Sequence, residues 1–109
     1  MKSEILFNIN DLANNESLGL NLADDTAIFA VKKDGQLYLY RNSCPHLGIE
    51  LEWVEHQFLD AENTLIQCAT HGALFLIENG QCVSGPCMGQ SLTAIPFQQD
   101  ENGNISLTP

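Results

Sequence analysis

The sequence predicts an all-β protein, a small antiparallel sandwich or barrel. Segments rich in Val, Ile, Leu, Tyr and Phe recur at short intervals between turn signals, and no stretch keeps a three-to-four residue apolar period beyond a turn or two. Two of the signals, Asp34-Gly35 and Asn79-Gly80, are dipeptides that tolerate positive φ and so suit tight hairpins. They join Ala27 to Val31 with Gln36 to Tyr40, and Leu74 to Ile77 with Gln81 to Val83. Further strands are expected over Glu4 to Ile9, Leu65 to Gln67, Leu92 to Phe97 and Ile105 to Thr108, with Asp100 to Gly103 as the last turn. Asp11 to Gly19 is assigned a short helical turn. The prolines at 45, 86, 96 and 109 all fall at or beside loops or strand ends.

With 109 residues, the chain is expected to form one domain spanning 1–109, since domains commonly run to about 100 to 150 residues. Fourteen acidic residues against four basic ones give a formal charge of −10. That balance disfavours nucleic acid and anionic membrane as partners and favours proteins with basic docking faces. Glu4 and Asn8 interrupt what would have to be the apolar core of a signal peptide, and no later window approaches 18 apolar residues. A soluble, cytoplasmic protein is therefore expected; a monomer is the separate expectation for its oligomeric state. In a reducing cytoplasm its four cysteines are better read as ligands, reactive thiols or core residues than as a disulfide framework.

The stretch from Leu47 to Thr64 breaks the β rhythm, and loops longer than about 12 to 15 residues in small domains are usually functional or mobile. It lies between Cys44-Pro45-His46 and Cys68-Ala69-Thr70-His71, two pairs separated by twenty-one residues. Each pair offers one sulfur and one nitrogen from a short loop. Chance alone would produce two such pairs in only about a few per cent of chains of this composition. The S2N2 set suits zinc as well as iron–sulfur chemistry, so the spacing alone leaves both open.

From about Arg41 to Phe97 the sequence resembles the Rieske ferredoxin family. The residues that carry the likeness are CPHLG in the first loop, CATHGALF in the second, the Asn79-Gly80 hairpin, and Gly85-Pro86 in a third, proline-bearing loop. The resemblance implies a Rieske-like β fold with a cluster-binding subdomain at one tip, built from loops at about 44–49, 68–73 and 85–89. It implies one [2Fe–2S] cluster, with Cys44 and Cys68 on one iron and His46 and His71 on the other. Gly48 and Gly72 match small residues that let backbone N–H groups approach the cluster sulfurs. Two neutral imidazoles in place of two thiolates make such a cluster less negative and easier to reduce.

The twenty-one residue spacer is longer than is common in soluble Rieske ferredoxins and carries Glu50, Glu52, Trp53, Glu55, His56, Asp60 and Glu62. Its acids are either solvated or a docking face. Trp53 is either a plug for the insertion or an interface anchor, and His56 is read as a solvated loop histidine. Cys82 and Cys87 match no ligand position and are assigned to packing. The loop-linking disulfide of respiratory Rieske subunits has no counterpart, since Ile49 and Thr70 hold those positions. Ala73 and Phe75 stand where those subunits place sulfur-bonding hydroxyls. Their absence predicts a potential at the low end of the Rieske range, around −150 mV.

The resemblance implies a one-electron carrier, not an enzyme, that shuttles between a flavin-dependent ferredoxin reductase and a terminal oxygenase or similar enzyme. A redox subunit of a larger enzyme such as a nitrite reductase is the alternative. A zinc-binding interaction module is a third reading, separated from the others by colour and metal content.

Overall fold

The computed structural model describes residues 5–22, 26–43, 51, 58–60, 62, 64–68, 72–85 and 89–107. Nine strands lie among them: β1 (Ile5–Asn8), β2 (Glu16–Asn21), β3 (Ala27–Lys33), β4 (Gln36–Arg41), β5 (Ile66–Gln67), β6 (Leu74–Phe75), β7 (Cys82–Ser84), β8 (Phe97–Gln99) and β9 (Asn104–Leu107). They form three antiparallel sheets in the orders β1-β9-β8, β2-β3-β4 and β5-β6-β7.

The apolar run in β3 explains how the sheets are layered. Ile28, Phe29, Ala30 and Val31 are all fully buried, which a strand achieves only when both faces of its sheet are covered. Ile28 and Ala30 join Leu37, Leu39 and Ile105 in one core, bordered by Leu6, Phe7 and Phe97 of the first sheet. Phe29 and Val31 join Tyr40, Ile66, Cys68, Phe75 and Cys82 in a second core against the third sheet. The β2-β3-β4 sheet is therefore the middle layer, and strand alternation feeds both cores from it.

Asp34-Gly35 forms the expected hairpin: Lys33 pairs with Gln36 across a two-residue turn with φ of 53° and 78°. Both values are positive, as a turn matching strand twist requires. Asn79-Gly80 works differently. Leu76 N–H donates to Gln81 O and Gly80 N–H to Leu76 O, so the loop holds four residues and only Gly80 is left-handed, at 73°. A Cβ on Gly80 would stand 2.9 Å from Tyr40 Cε1. The Tyr40 hydroxyl donates to Ile77 O at 2.5 Å and pins this loop to the middle sheet.

Two expectations need correction. The helical element is a 3-10 turn at Ile9–Asp11, started by Asn8, whose side chain accepts from Asn10 N–H at 2.9 Å; Glu16 to Gly19 belong to β2 instead. Leu18 and Leu20 alternate there with Ser17 and Gly19, and the small polar partners masked a period of two. Second, Leu92 to Pro96 is not a strand of one sheet but a seam between sheets. Gln81 bridges Ser91, Leu92 N–H donates to Gly80 O, Tyr40 bridges Ala94, and Ile95 N–H donates to Leu39 O before β8 begins at Phe97.

Candidate functional site

β5 and β6 pair as Gln67 with Leu74, and the six residues between them form the second of the expected loops. It is closed twice over, by Cys68 N–H on Ala73 O and Gly72 N–H on Cys68 O, both at 2.8 Å. Gly72, which makes the second bond, has a left-handed backbone with φ 69°. Among the described residues nothing lies within 4 Å of a Cβ there, and the left-handed backbone is itself a reason for glycine at 72. Cys68 sits at the mouth of the loop with no exposed surface.

The third loop leaves β7 at Gly85 and is closed behind by Cys82 N–H on Gln90 O at 2.9 Å. Gly85, at φ 103°, lies flat on the second loop: a Cβ would come within 2.8 Å of Ala73 Cα and 3.1 Å of Ala73 Cβ. Ala73 is fully buried beneath it. No longer side chain fits at 85 unless these two loops separate.

The base of the first loop is held by a residue that sequence reading missed. Asn42 is buried; its N–H donates to Ala27 O at 2.9 Å and its Oδ1 accepts from Leu51 N–H at 2.8 Å. One side chain thereby ties the chain before the loop to the chain after it. Asn42 directly precedes Ser43-Cys44, and an amide beside a ligand motif was the available signal.

The far end of the spacer is not loop. Leu59 bridges Ile66, Gln67 N–H donates to Phe58 O at 2.8 Å, and Asp60 N–H donates to Leu65 O at 2.9 Å. Asp60 Oδ1 accepts from Thr64 and Leu65 N–H, at 2.9 and 3.2 Å, which turns the chain into β5. Phe58 is the plug that fastens the insertion: it is fully buried and stacks on Phe29, with centroids 4.4 Å apart and planes 6° from parallel. Cys82 lies in the core opposite Phe75, and its Sγ donates to Ser84 O at 3.3 Å.

Of the four expected ligands Cys68 is described; Cys44, His46 and His71 lie outside the described residues, as do Gly48, Ile49, Glu50, Glu52, Trp53, Glu55, His56, Thr70, Pro86 and Cys87. Among the described residues no three His, Cys, Asp or Glu side chains converge on one point.

The Rieske [2Fe–2S] domain model matches residues 4–99. This chain belongs to the Rieske [2Fe–2S] family. No curated protein matches it in sequence. In fold this Rieske domain is similar to the ferredoxin of carbazole 1,9a-dioxygenase from Nocardioides aromaticivorans IC177, with a TM-score of 0.76 and 19% identity, covering 100% of this chain and 99% of that one. The Sphingomonas yanoikuyae B1 ferredoxin gives 0.75 and 19%, covering 99% and 100%. A chain from the complex of reduced oxygenase and oxidized ferredoxin in carbazole 1,9a-dioxygenase gives 0.75 and 18%, covering 96% and 100%. The cofactor of a Rieske domain is one [2Fe–2S] cluster, and its chemistry is one-electron transfer. The described residues fit that group: a buried thiol stands at the mouth of a loop closed by its own backbone, beside a second loop that only glycine can bring so near. No helix among the described residues is long and apolar enough to cross a membrane.

Proposed function

We propose that this protein is a ferredoxin that takes single electrons from a flavin-dependent reductase and hands them to a terminal oxygenase or a similar enzyme in the cytoplasm. It works as a monomer and as a single domain over 1–109. The observation that carries the reading is the packing of Gly85 on Ala73, which brings the bases of the second and third loops together beside the buried Cys68.

Cys44 and Cys68 hold one iron, and His46 and His71 hold the other. Support for this set comes from the turn that Gly72 closes on Cys68. The motif Cys68-Ala69-Thr70-His71 starts at that closed, buried cysteine. Asn42 performs the matching task for the first loop by fixing the distance between its ends. When bound, the cluster supplies a redox centre that accepts and releases one electron. The chain keeps water from Cys68 by burying it and fixes the loops so that little rearranges on reduction, while the histidines offer the edge through which an electron leaves.

Protein purified under argon should be red-brown, with about two irons and two sulfides per chain, and should give the spin signal of a mixed nitrogen and sulfur centre once reduced. One zinc per chain with no visible absorption would end this reading. His71→Cys should move the signal toward that of an all-thiolate cluster or abolish assembly.

A further inference from the structure

The outer face of the third sheet has no role in the site described above. Ile66 and Phe75 point into the core, so by the two-residue period Leu65, Leu74 and Leu76 lie on the opposite face, and all three are only half-buried. Beside them β7 carries a bulge. Leu74 pairs with Ser84 and Phe75 with Cys82, leaving Val83 opposite no residue. Bulges re-aim side chains, and Val83 keeps 40% of its surface exposed. It stands two residues before Gly85, at the loop end of the sheet.

Charge sets this face apart. From Leu65 to Gln99 the sequence has a single charged residue, Glu78, although the whole chain has fourteen acids and four bases. Glu78 lies in the β6–β7 turn at the far end and is paired with Lys33 Nζ at 2.8 Å. The acids return at the margin: Asp60 sits in the turn leading into β5, and Glu62 is exposed there.

We propose that the uncharged outer face made by Leu65, Leu74, Leu76 and Val83 is the contact surface for a redox partner that surrounds an apolar patch with basic residues. The proposal rests on the electron-carrier reading. The occupant follows from complementarity: an apolar centre on the partner meets the aliphatic face, and a basic rim meets the acids at its margin. The face runs along β6 and β7 to Ala73 and Gly85 at the bases of the second and third loops, so on the electron-carrier reading a partner seated on it is beside the loops that would hold the cluster. Val83, raised by the bulge, is the anchor.

Cytochrome c serves as the probe, since its haem edge lies in an apolar patch ringed by lysines. Holoprotein is reduced, freed of reductant and mixed with ferric cytochrome c; one electron leaves the cluster and the haem iron becomes ferrous. Val83→Asn, which changes no charge, should slow this transfer by about fivefold at every salt concentration, whereas Val83→Leu should restore it. Reduction of ferricyanide, which needs no docking face, should be unchanged, as should the spin signal. Equal cytochrome c rates in wild type and Val83→Asn would overturn the proposal, and so would a wild-type dimer that Val83→Asn dissolves, which would assign the face to a second copy. A preparation without iron would remove the electron-carrier reading and the proposal with it, and metal analysis before mixing distinguishes that failure from the others.

Discussion

Two glycines in the candidate site are required for different reasons, and their substitutions should differ accordingly. At Gly72 the constraint seen among the described residues is the left-handed backbone, so Gly72→Ala should cost about 1 to 2 kcal/mol. At Gly85 the same kind of strain adds to a Cβ 2.8 Å from Ala73 Cα, and Gly85→Ala should cost more than Gly72→Ala, by about 1 to 3 kcal/mol. It should also bleach the holoprotein faster. Melting curves and visible absorbance of the two variants, side by side, check both statements; equal losses would mean that the second and third loops are not packed as described. Ala73 and Phe75 carry no hydroxyl to donate to a cluster sulfur. A hydroxyl donating to sulfur stabilises the reduced, more negative state, so Ala73→Ser should raise the potential from around −150 mV, as read by voltammetry. No rise would show that another feature controls it. Phe75→Tyr must place its oxygen in a fully buried site and should cost about 1 to 3 kcal/mol wherever that oxygen finds no partner.

Tyr40 acts between elements, joining the middle sheet to the β6–β7 loop through Ile77 O. Burial pushes its hydroxyl up to about 12, with lesser contributions from Tyr38 and Glu78. A group whose folded pKa is raised gives its full stability below the unfolded value and loses it as pH climbs through the folded value. Stability should therefore fall between about pH 10 and 12, by up to about 3 kcal/mol, and Tyr40→Phe should flatten that part of the profile while weakening the fold near neutrality. Denaturant melts from pH 8 to 12 on both proteins test the sign. The spacer depends on an element of its own, the Phe58 plug with the Asp60 turn. Phe58→Ala should cost about 3 to 5 kcal/mol, and hydrogen exchange should show the Gln67 amide, bonded to Phe58 O, losing protection.

For the whole molecule, the −10 charge sets how fast partners meet more than how tightly they hold. Transfer to a basic partner should slow steeply as salt rises from about 0.1 to 0.5 M, where the screening length drops below about 10 Å. Neutralising Glu50, Glu52 and Glu55 together should flatten that dependence. Val83→Asn should leave its slope intact, because the outer face of the third sheet has no charge to screen. A salt profile that stays flat in the wild type would place docking wholly on uncharged surface.

Much of this protein is legible from its residues alone. Turn dipeptides and apolar runs predict an all-β chain because both act over a few neighbours, and the paired Cys/His motifs with Gly85-Pro86 carry the family, which the match over residues 4–99 confirms. The sequence does not reveal β2, whose Leu18 and Leu20 read as a face only once β3 lies beside them. Nor does it reveal that the segment from Ser91 to Ile95 ties the β6–β7 loop to β4, since its bonds go first to Gly80 and Gln81 and then to Leu39, Tyr40 and Arg41, all distant in the chain. Asn42, Phe58 and the bulge at Val83 are of the same kind. Their roles arise from the Asn42 bond to Leu51, the Phe58 stack on Phe29 and the register of β6 against β7, and such relations between residues far apart in the chain exist only after the sheets have formed and stacked.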